Sequence, residues 1–177
     1  MPISILKKHY LTTIAALLAM IAGGYSAYTR LSSFNHHQQL IQAITQFSTL
    51  YGTTLNPDQL LNKTLVINFW ASWCSSCLEE MADLTALQHE FFNQNIQFIG
   101  ISIDSADNVE QFSQKYAVNY PLLIAEVGGL ALAKALGNTT QALPFTLIMS
   151  RDGNILLTQM GKIRKNEVRN LLSKQHL

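Results

Sequence analysis

The sequence predicts an α/β fold in which a mixed sheet is flanked by helices, with an N-terminal transmembrane or signal helix before it. Short apolar runs alternate with segments of helical spacing, as in folds that contain βαβ units. An Asp-Gly pair at 152–153 separates two such runs near the C-terminus and is typical of a hairpin. An uncharged stretch near the N-terminus follows two lysines. These three observations fix the predicted class.

Composition limits the classes of function. Of the 177 residues, 48% are hydrophobic and 13% are charged, which excludes a disordered chain because enough apolar surface can be buried. The 12 Lys and Arg residues nearly balance the 11 Asp and Glu residues, giving a net charge of +1. Without a broad positive field, nucleic acid is not an expected partner.

Residues 1–30 are predicted to be a membrane anchor or signal segment. Lys7 and Lys8 precede the uncharged stretch 9–29, which is near the length of about 20 residues that crosses a bilayer. Basic residues before such a segment favour export of the chain beyond it, so the rest of the protein is expected outside the cytoplasm. A cleaved signal peptide is the alternative, although residues 22–24 contain no Ala-x-Ala site.

Residues 31–46 are predicted to be a tether, and residues 47–177 the α/β domain. The tether is rich in Ser, Asn, His and Gln, and Leu40, Ile41 and Ile44 are spaced for one side of a short helix. His36 and His37 are adjacent and would point in different directions on a helix, so they are expected to be solvated rather than to share a metal.

The predicted domain begins with a short hairpin, in which 47–50 and 53–55 flank Tyr51-Gly52, and Asn56-Pro57 then starts a turn. A buried central strand, a helix and a second strand form one βαβ unit, which leads into an antiparallel pair. After the hairpin, the predicted strands are 65–69, 96–103, 122–125, 145–149 and 155–159, and the predicted helices are 78–92, 108–116, 129–136 and 166–174.

The chain has two cysteines, Cys74 and Cys77, separated by two residues. A disulfide framework or a structural zinc site would need further Cys or His pairs, and covalent haem attachment would need His where Leu78 stands. The remaining interpretation is a redox pair, with no cofactor and no metal expected. A cysteine at a helix start is favoured as thiolate, so Cys74 is the predicted nucleophile and Cys77, one turn further, the resolving thiol.

The residues around the pair carry a resemblance to a known family. Phe-Trp-Ala-Ser-Trp-Cys-Ser-Ser-Cys at 69–77, Leu-Pro-Phe-Thr at 143–146 and Arg-Asp-Gly at 151–153 resemble the thioredoxin superfamily, and more narrowly the membrane-tethered TlpA/ResA-like thiol-disulfide oxidoreductases. The similarity runs from about Phe47 to the C-terminus. It implies a thioredoxin-like sheet.

The resemblance also implies a substrate-binding site. It makes Pro144 a cis-proline facing the disulfide, with the backbone at Leu143 pairing with a bound substrate chain; the sequence alone equally allows an ordinary trans proline. Trp73 is expected in an exposed apolar collar that meets the substrate, whereas Trp70 continues the buried strand.

Glu80 is the predicted proton acceptor for Cys77. Thioredoxin itself has a buried Asp in the strand before the motif, but Asn68 stands there and cannot exchange a proton. TlpA-type proteins often have a Glu three residues after the second Cys, and Glu80 lies there, in helical phase with Cys77. The alternative is a solvated carboxylate like Glu79.

Four residues depart from the family pattern. Leu78 replaces a frequent Arg, Ala82 replaces a frequent Pro, and Ser75-Ser76 stand where Pro or Gly is common. The resemblance therefore leaves the redox potential and the choice of partner open.

The predicted function is thiol-disulfide exchange with protein disulfides or dithiols. The resemblance implies a reductant resupplied by a membrane electron donor, within a group that includes proteins of cytochrome c maturation. It also implies a bacterial inner-membrane protein whose catalytic domain faces the periplasm or the cell exterior.

Two other functions use the same cysteines. A thiol peroxidase would need Thr where Ala71 stands. A Cu(I)-binding metallochaperone would chelate the ion with both thiolates, helped by Met81 or Met160, although both methionines are expected in the core.

Overall fold

The computed structural model describes the backbone of residues 3–176, and the side-chain environment within it except at 3–12, 15, 30, 33, 34 and 176. Six strands form one sheet in the order β1-β4-β3-β2-β5-β6. The strands are β1 Ser48–Thr49, β2 Thr64–Trp70, β3 Ile96–Ser102, β4 Leu122–Ile124, β5 Phe145–Met149 and β6 Ile155–Met160. The α-helices are α1 Ile3–Thr45, α2 Ser75–Glu90, α3 Ala106–Lys115, α4 Gly129–Ala135 and α5 Lys165–Leu172.

The central strand β2 is parallel to β3 and antiparallel to β5. Every residue of β2 is buried, because helices cover both faces of the sheet. The parallel strands β2, β3 and β4 end at one edge, and antiparallel β5 begins there. Loops that follow the parallel strands therefore meet the loop that precedes β5.

Two apolar clusters fill the space between sheet and helices. One cluster lies under α2, α3 and α5 and includes Trp70, Cys77, Met81, Phe112 and Val168. The other lies on the opposite face, where the end of α1 and Ala133 of α4 cover apolar residues of β2, β3 and β5. The predicted mixed sheet with helices on both faces is therefore confirmed.

The predicted tether forms the last part of α1 and contributes to the core. Leu40, Ile41 and Ile44 are buried in the second cluster, as their helical spacing allows. The expectation that both adjacent histidines are solvated is wrong for His37, which is 1% exposed. Its Nε2 lies 3.1 Å from the carbonyl oxygen of Lys63, the residue before β2. The division of the chain at residue 47 stays a prediction.

The helical part of the predicted anchor carries exposed apolar side chains, among them Leu17, Leu18, Met20 and Ile21. Residues 1–2 and the side chains of 3–12, 15 and 30, which belong to the same prediction, lie outside the described residues. Within the part of the chain that the structure describes, no helix has an apolar stretch long enough to cross a membrane.

The smaller predicted elements are also present. The hairpin after Phe47 is reduced to β1 and one bridge between Ser48 and Thr54. Asn56 caps a short 3-10 helix, Pro57–Gln59, by accepting a hydrogen bond from the Asp58 backbone N–H at 3.0 Å. The loop then leads directly into β2.

Candidate active site

Cys74 and Cys77 form a disulfide at the start of α2, with their Cα atoms 5.3 Å apart. Cys74 is the N-cap of α2, and its Sγ lies 3.3 Å from the backbone nitrogen of Cys77, which donates to it. Cys74 is 8% exposed and Cys77 is completely buried. Of the two sulfurs, that of Cys74 therefore belongs to the more accessible residue, at the positive end of the helix.

Asp104, just after the end of β3, forms hydrogen bonds with the loop before Cys74. The carboxylate of Asp104 accepts hydrogen bonds from the backbone N–H and the hydroxyl of Ser72, the N–H at 3.2 Å. Burial opposes ionisation of Asp104, but hydrogen bonds from Asn108, Ser72 and Ser105 outweigh it and hold its pKa below the ordinary value. Asp104 is therefore a fixed anion that orders the loop.

Sequence reasoning missed Asp104 as a site residue. The sequence places Asp104 directly after a predicted strand. Because parallel strands end at the same edge of a sheet, a polar residue there is expected close to the loop that follows β2.

Glu80 is fully buried beneath the disulfide-bearing turn of α2. Its Oε1 accepts a hydrogen bond from Asn68 Nδ2 at 2.6 Å, and its Oε2 accepts one from the backbone N–H of Ile163 at 2.9 Å. Burial raises the pKa of Glu80 to about 7, although both hydrogen bonds and the charge of Lys162 act in the opposite direction. The solvated alternative for Glu80 is excluded by this burial.

The loop between β6 and α5 contacts two parts of the site. Its Gly161 N–H donates to the carbonyl oxygen of Pro144 at 2.8 Å, and its Ile163 N–H donates to Glu80. Lys162 pairs with Glu79 of α2 at 3.0 Å. No pattern in the sequence singled out this loop, because its hydrogen bonds to Pro144 and Glu80 come from backbone N–H groups.

The Leu143–Pro144 peptide bond is cis. Phe145 pairs with Phe69, so this bond lies at the edge where β2 leads into the cysteine loop. Pro144 is buried and Leu143 is half-buried. Trp73 is 69% exposed, whereas Trp70 is buried, as expected.

The described residues contain no group of three or more His, Cys, Asp or Glu side chains placed to hold a metal ion. Met81 is in the core, but the same expectation is wrong for Met160, which is 47% exposed at the end of edge strand β6. Its Sδ accepts a hydrogen bond from the hydroxyl of Thr140 at 3.4 Å.

The chain is similar to known proteins over most of its length. The chain is 24% identical over 174 residues to the thiol-disulfide oxidoreductase ResA of Geobacillus thermodenitrificans, covering 97% of this chain and 95% of that protein. It is 25% identical to the thioredoxin-like protein YneN of Bacillus subtilis, over 88% and 93% of the two chains.

The fold is that of solved thioredoxin-like structures. A thioredoxin family thiol:disulfide interchange protein from Chlorobium tepidum superposes with a TM-score of 0.65 at 20% identity, covering 73% of this chain and 90% of that one. The family model Redoxin matches residues 37–173, which include α2, the whole sheet and the docked end of α1. The chain therefore belongs to the Redoxin family.

Proposed function

We propose that the protein is a thiol-disulfide oxidoreductase that exchanges its Cys74–Cys77 pair with disulfides or dithiols of client proteins. The observation that carries the proposal is the arrangement on α2, where Cys74 caps the helix and Cys77 is buried one turn away. Glu80 lies three residues beyond Cys77 on that helix and is also buried. The activity for which ResA is named supports the same class.

The first step uses Cys74. In the reductive direction, its thiolate attacks one sulfur of a client disulfide, a mixed disulfide forms, and the other client sulfur leaves as a thiolate. The free N–H groups at the helix start favour the thiolate form, because they place partial positive charge beside the sulfur. Trp73, Leu143 and Pro144 are proposed to bind the client at this edge.

The second step uses Cys77 and Glu80. The Cys77 thiol loses its proton to the Glu80 carboxylate, and the resulting thiolate attacks Cys74 Sγ. The Cys74–Cys77 disulfide forms, and the second client sulfur leaves as a thiolate that takes a proton from water. Two electrons pass to the client. A carboxyl group with a pKa of about 7 can both accept and return a proton near neutral pH.

The direction, the partners and the location are further parts of the proposal. Family resemblance supports a reductant that is resupplied by a membrane electron donor and serves a pathway such as cytochrome c maturation. Lys7, Lys8 and the uncharged stretch 9–29 support an anchor in a bacterial inner membrane, with the domain on the outer side. The exposed apolar side chains of Leu17 and Ile21 are consistent with such an anchor.

The test is reduction of a protein disulfide by the reduced full-length chain, with insulin as the probe. The unaltered chain should reduce insulin and end with the Cys74–Cys77 disulfide, whereas Cys74→Ser should be inactive. Equilibration of the pair with glutathione then gives the direction, because a reductant requires a low potential. Failure of the unaltered chain to reduce insulin or to equilibrate with glutathione would exclude the proposed chemistry.

A further inference from the structure

Ser76 places a hydroxyl group beside the sulfur atom of Cys74. Its Oγ lies 3.5 Å from Cys74 Sγ, a hydrogen-bonding distance for sulfur. The backbone N–H of Cys77 points at the same sulfur from 3.3 Å. Two donors therefore converge on the atom that is proposed to attack the client, and one of them is a side chain.

The position of Ser76 in the helix explains this contact. Cys74 is the N-cap, whose side chain turns back over the first turn of α2 toward the free N–H groups. Ser76 lies in that turn and is half-buried, so water competes less for its hydroxyl than at an exposed site. Ser75 precedes it in the same turn and is exposed.

We propose that Ser76 is a further catalytic residue, whose hydroxyl donates a hydrogen bond to the sulfur of Cys74 when that sulfur is a thiolate. A disulfide sulfur is a weak acceptor, whereas a thiolate carries a full negative charge and forms a stronger, charge-assisted bond. The bond therefore stabilises the reduced state relative to the disulfide. Only the later reaction of this thiolate with a client rests on the proposed function.

Ser76 transfers no proton and no electrons in this scheme. The Cys74 thiolate attacks the client sulfur, the client thiolate leaves, and Cys77 later displaces the second client thiolate. A hydrogen bond to Cys74 raises the fraction of thiolate before the attack.

Other charged groups border this end of α2. Glu79 and Glu80 lie on the same helix, Asp104 holds the preceding loop through Ser72, and Lys162 pairs with Glu79. The test compares neighbouring serine variants that all keep these groups. A difference between the variants therefore reports on the hydroxyl and not on the surrounding charge.

The experiment uses the full-length chain with Cys77→Ser, which leaves Cys74 as its single thiol. Its alkylation rate by iodoacetamide is measured against pH for the parent, Ser76→Ala, Ser76→Thr and the matched control Ser75→Ala. Ser76→Ala should raise the pH at which Cys74 ionises and slow alkylation below that pH by about threefold to tenfold. Ser76→Thr keeps a hydroxyl and should behave like the parent, as should Ser75→Ala.

A second readout uses the intact cysteine pair. At a pH where Cys74 is ionised, Ser76→Ala should shift the equilibrium with glutathione toward the Cys74–Cys77 disulfide by the same factor. The proposal is overturned if Ser76→Ala matches the parent, if Ser75→Ala shifts equally, or if Ser76→Thr behaves like the alanine variant. Alkylation needs no client, so these outcomes are distinct from a failure of insulin reduction.

Discussion

The side-chain amide of Asn68 donates a hydrogen bond of 2.6 Å to the carboxyl group of Glu80, and so joins the central strand to the helix of the cysteine pair. The same Nδ2 lies 3.0 Å from the hydroxyl of Thr146 on β5. Asn68 Oδ1 has no hydrogen-bond partner among the described residues. A neutral amide thus occupies the place where thioredoxin has an acid, and the acid stands on the helix instead.

Asn68→Leu should raise the pKa of Glu80 above about 7, because the amide bond that favours the carboxylate is lost while burial remains. We expect a shift of roughly half a unit to one unit. The pH dependence of disulfide reduction should move to higher pH by this amount. Thr146→Val is the control, since it keeps the bond from Asn68 to Glu80. An unchanged profile in Asn68→Leu would show that another group determines it.

Glu80→Gln should slow reduction of a small disulfide at neutral pH by about tenfold or more, because no carboxylate remains to accept the Cys77 proton. The rate of the unaltered chain should rise as Glu80 ionises near pH 7, and this rise should be missing from the variant. If the side-chain amide of Asn68 rotates by half a turn, its Oδ1 can accept a hydrogen bond from the new amide group at position 80. The fold should therefore persist.

The control for that measurement is Glu90→Gln, which removes a carboxylate at the far end of α2 that pairs with Arg169 on the surface. Its pH profile should match that of the unaltered chain. A Glu80→Gln variant with the same rate and profile as the unaltered chain would remove Glu80 from the mechanism.

Stability should also depend on Glu80. The pKa of this buried acid is raised in the folded chain, from 4.5 to about 7, so the native state binds its proton more tightly than the unfolded state does. The tighter binding of this proton therefore adds to the free energy of unfolding. This added stability is fully present below pH 4.5, is lost as pH rises through 7, and amounts to about 3 kcal/mol. Urea unfolding of the oxidised chain and of Glu80→Gln at both pH values measures the difference. If the free energy of unfolding changed equally with pH in both chains, burial would not be raising the pKa of Glu80.

The two cysteines should differ in covalent trapping. Cys77→Ser removes only the second step, so it should accumulate reducible complexes with client proteins, whereas Cys74→Ser should show few or none. Non-reducing gels of tagged protein, recovered after acid quenching, make the comparison. Equal trapping by both variants, or trapping only through Cys77, would reverse the assignment.

The predicted anchor makes the topology testable. A reporter fused after Leu177 should be active only when exported, and the chain should stay in the membrane fraction after carbonate extraction. Recovery of a soluble chain that begins near Tyr25 would favour a cleaved signal peptide instead.

Much of the fold was predictable because its elements are strongly patterned. The run 65–69 is apolar at nearly every position, as expected for a strand covered on both faces, and β2 includes it. The spacing of Leu40, Ile41 and Ile44 indicated a helix, but periodicity does not say what surface a helix face will cover. The docking of α1, and with it the burial of His37, depends on tertiary packing.

The site was predictable where its residues share one helix. Cys74, Cys77 and Glu80 follow from helical spacing, and their relative positions are as expected. Thr146 reaches Asn68 through the register of β2 and β5, and Ile163 reaches Glu80 from a loop 83 residues away in sequence. Such contacts depend on strand pairing and loop closure, which single-sequence patterns do not specify.

The pairing of Cys74 with Cys77 limits the number of electrons that one molecule can hold on its thiols to two. Both cysteines of the chain belong to this one bridge, so no internal thiol can regenerate the pair or store a second pair of electrons. In the proposed reductive direction, each reduced molecule therefore passes two electrons to one client disulfide and must then be reduced again. In single turnover, one equivalent of reduced chain should convert one equivalent of disulfide, and the proposed activity needs an outside donor for each further turnover.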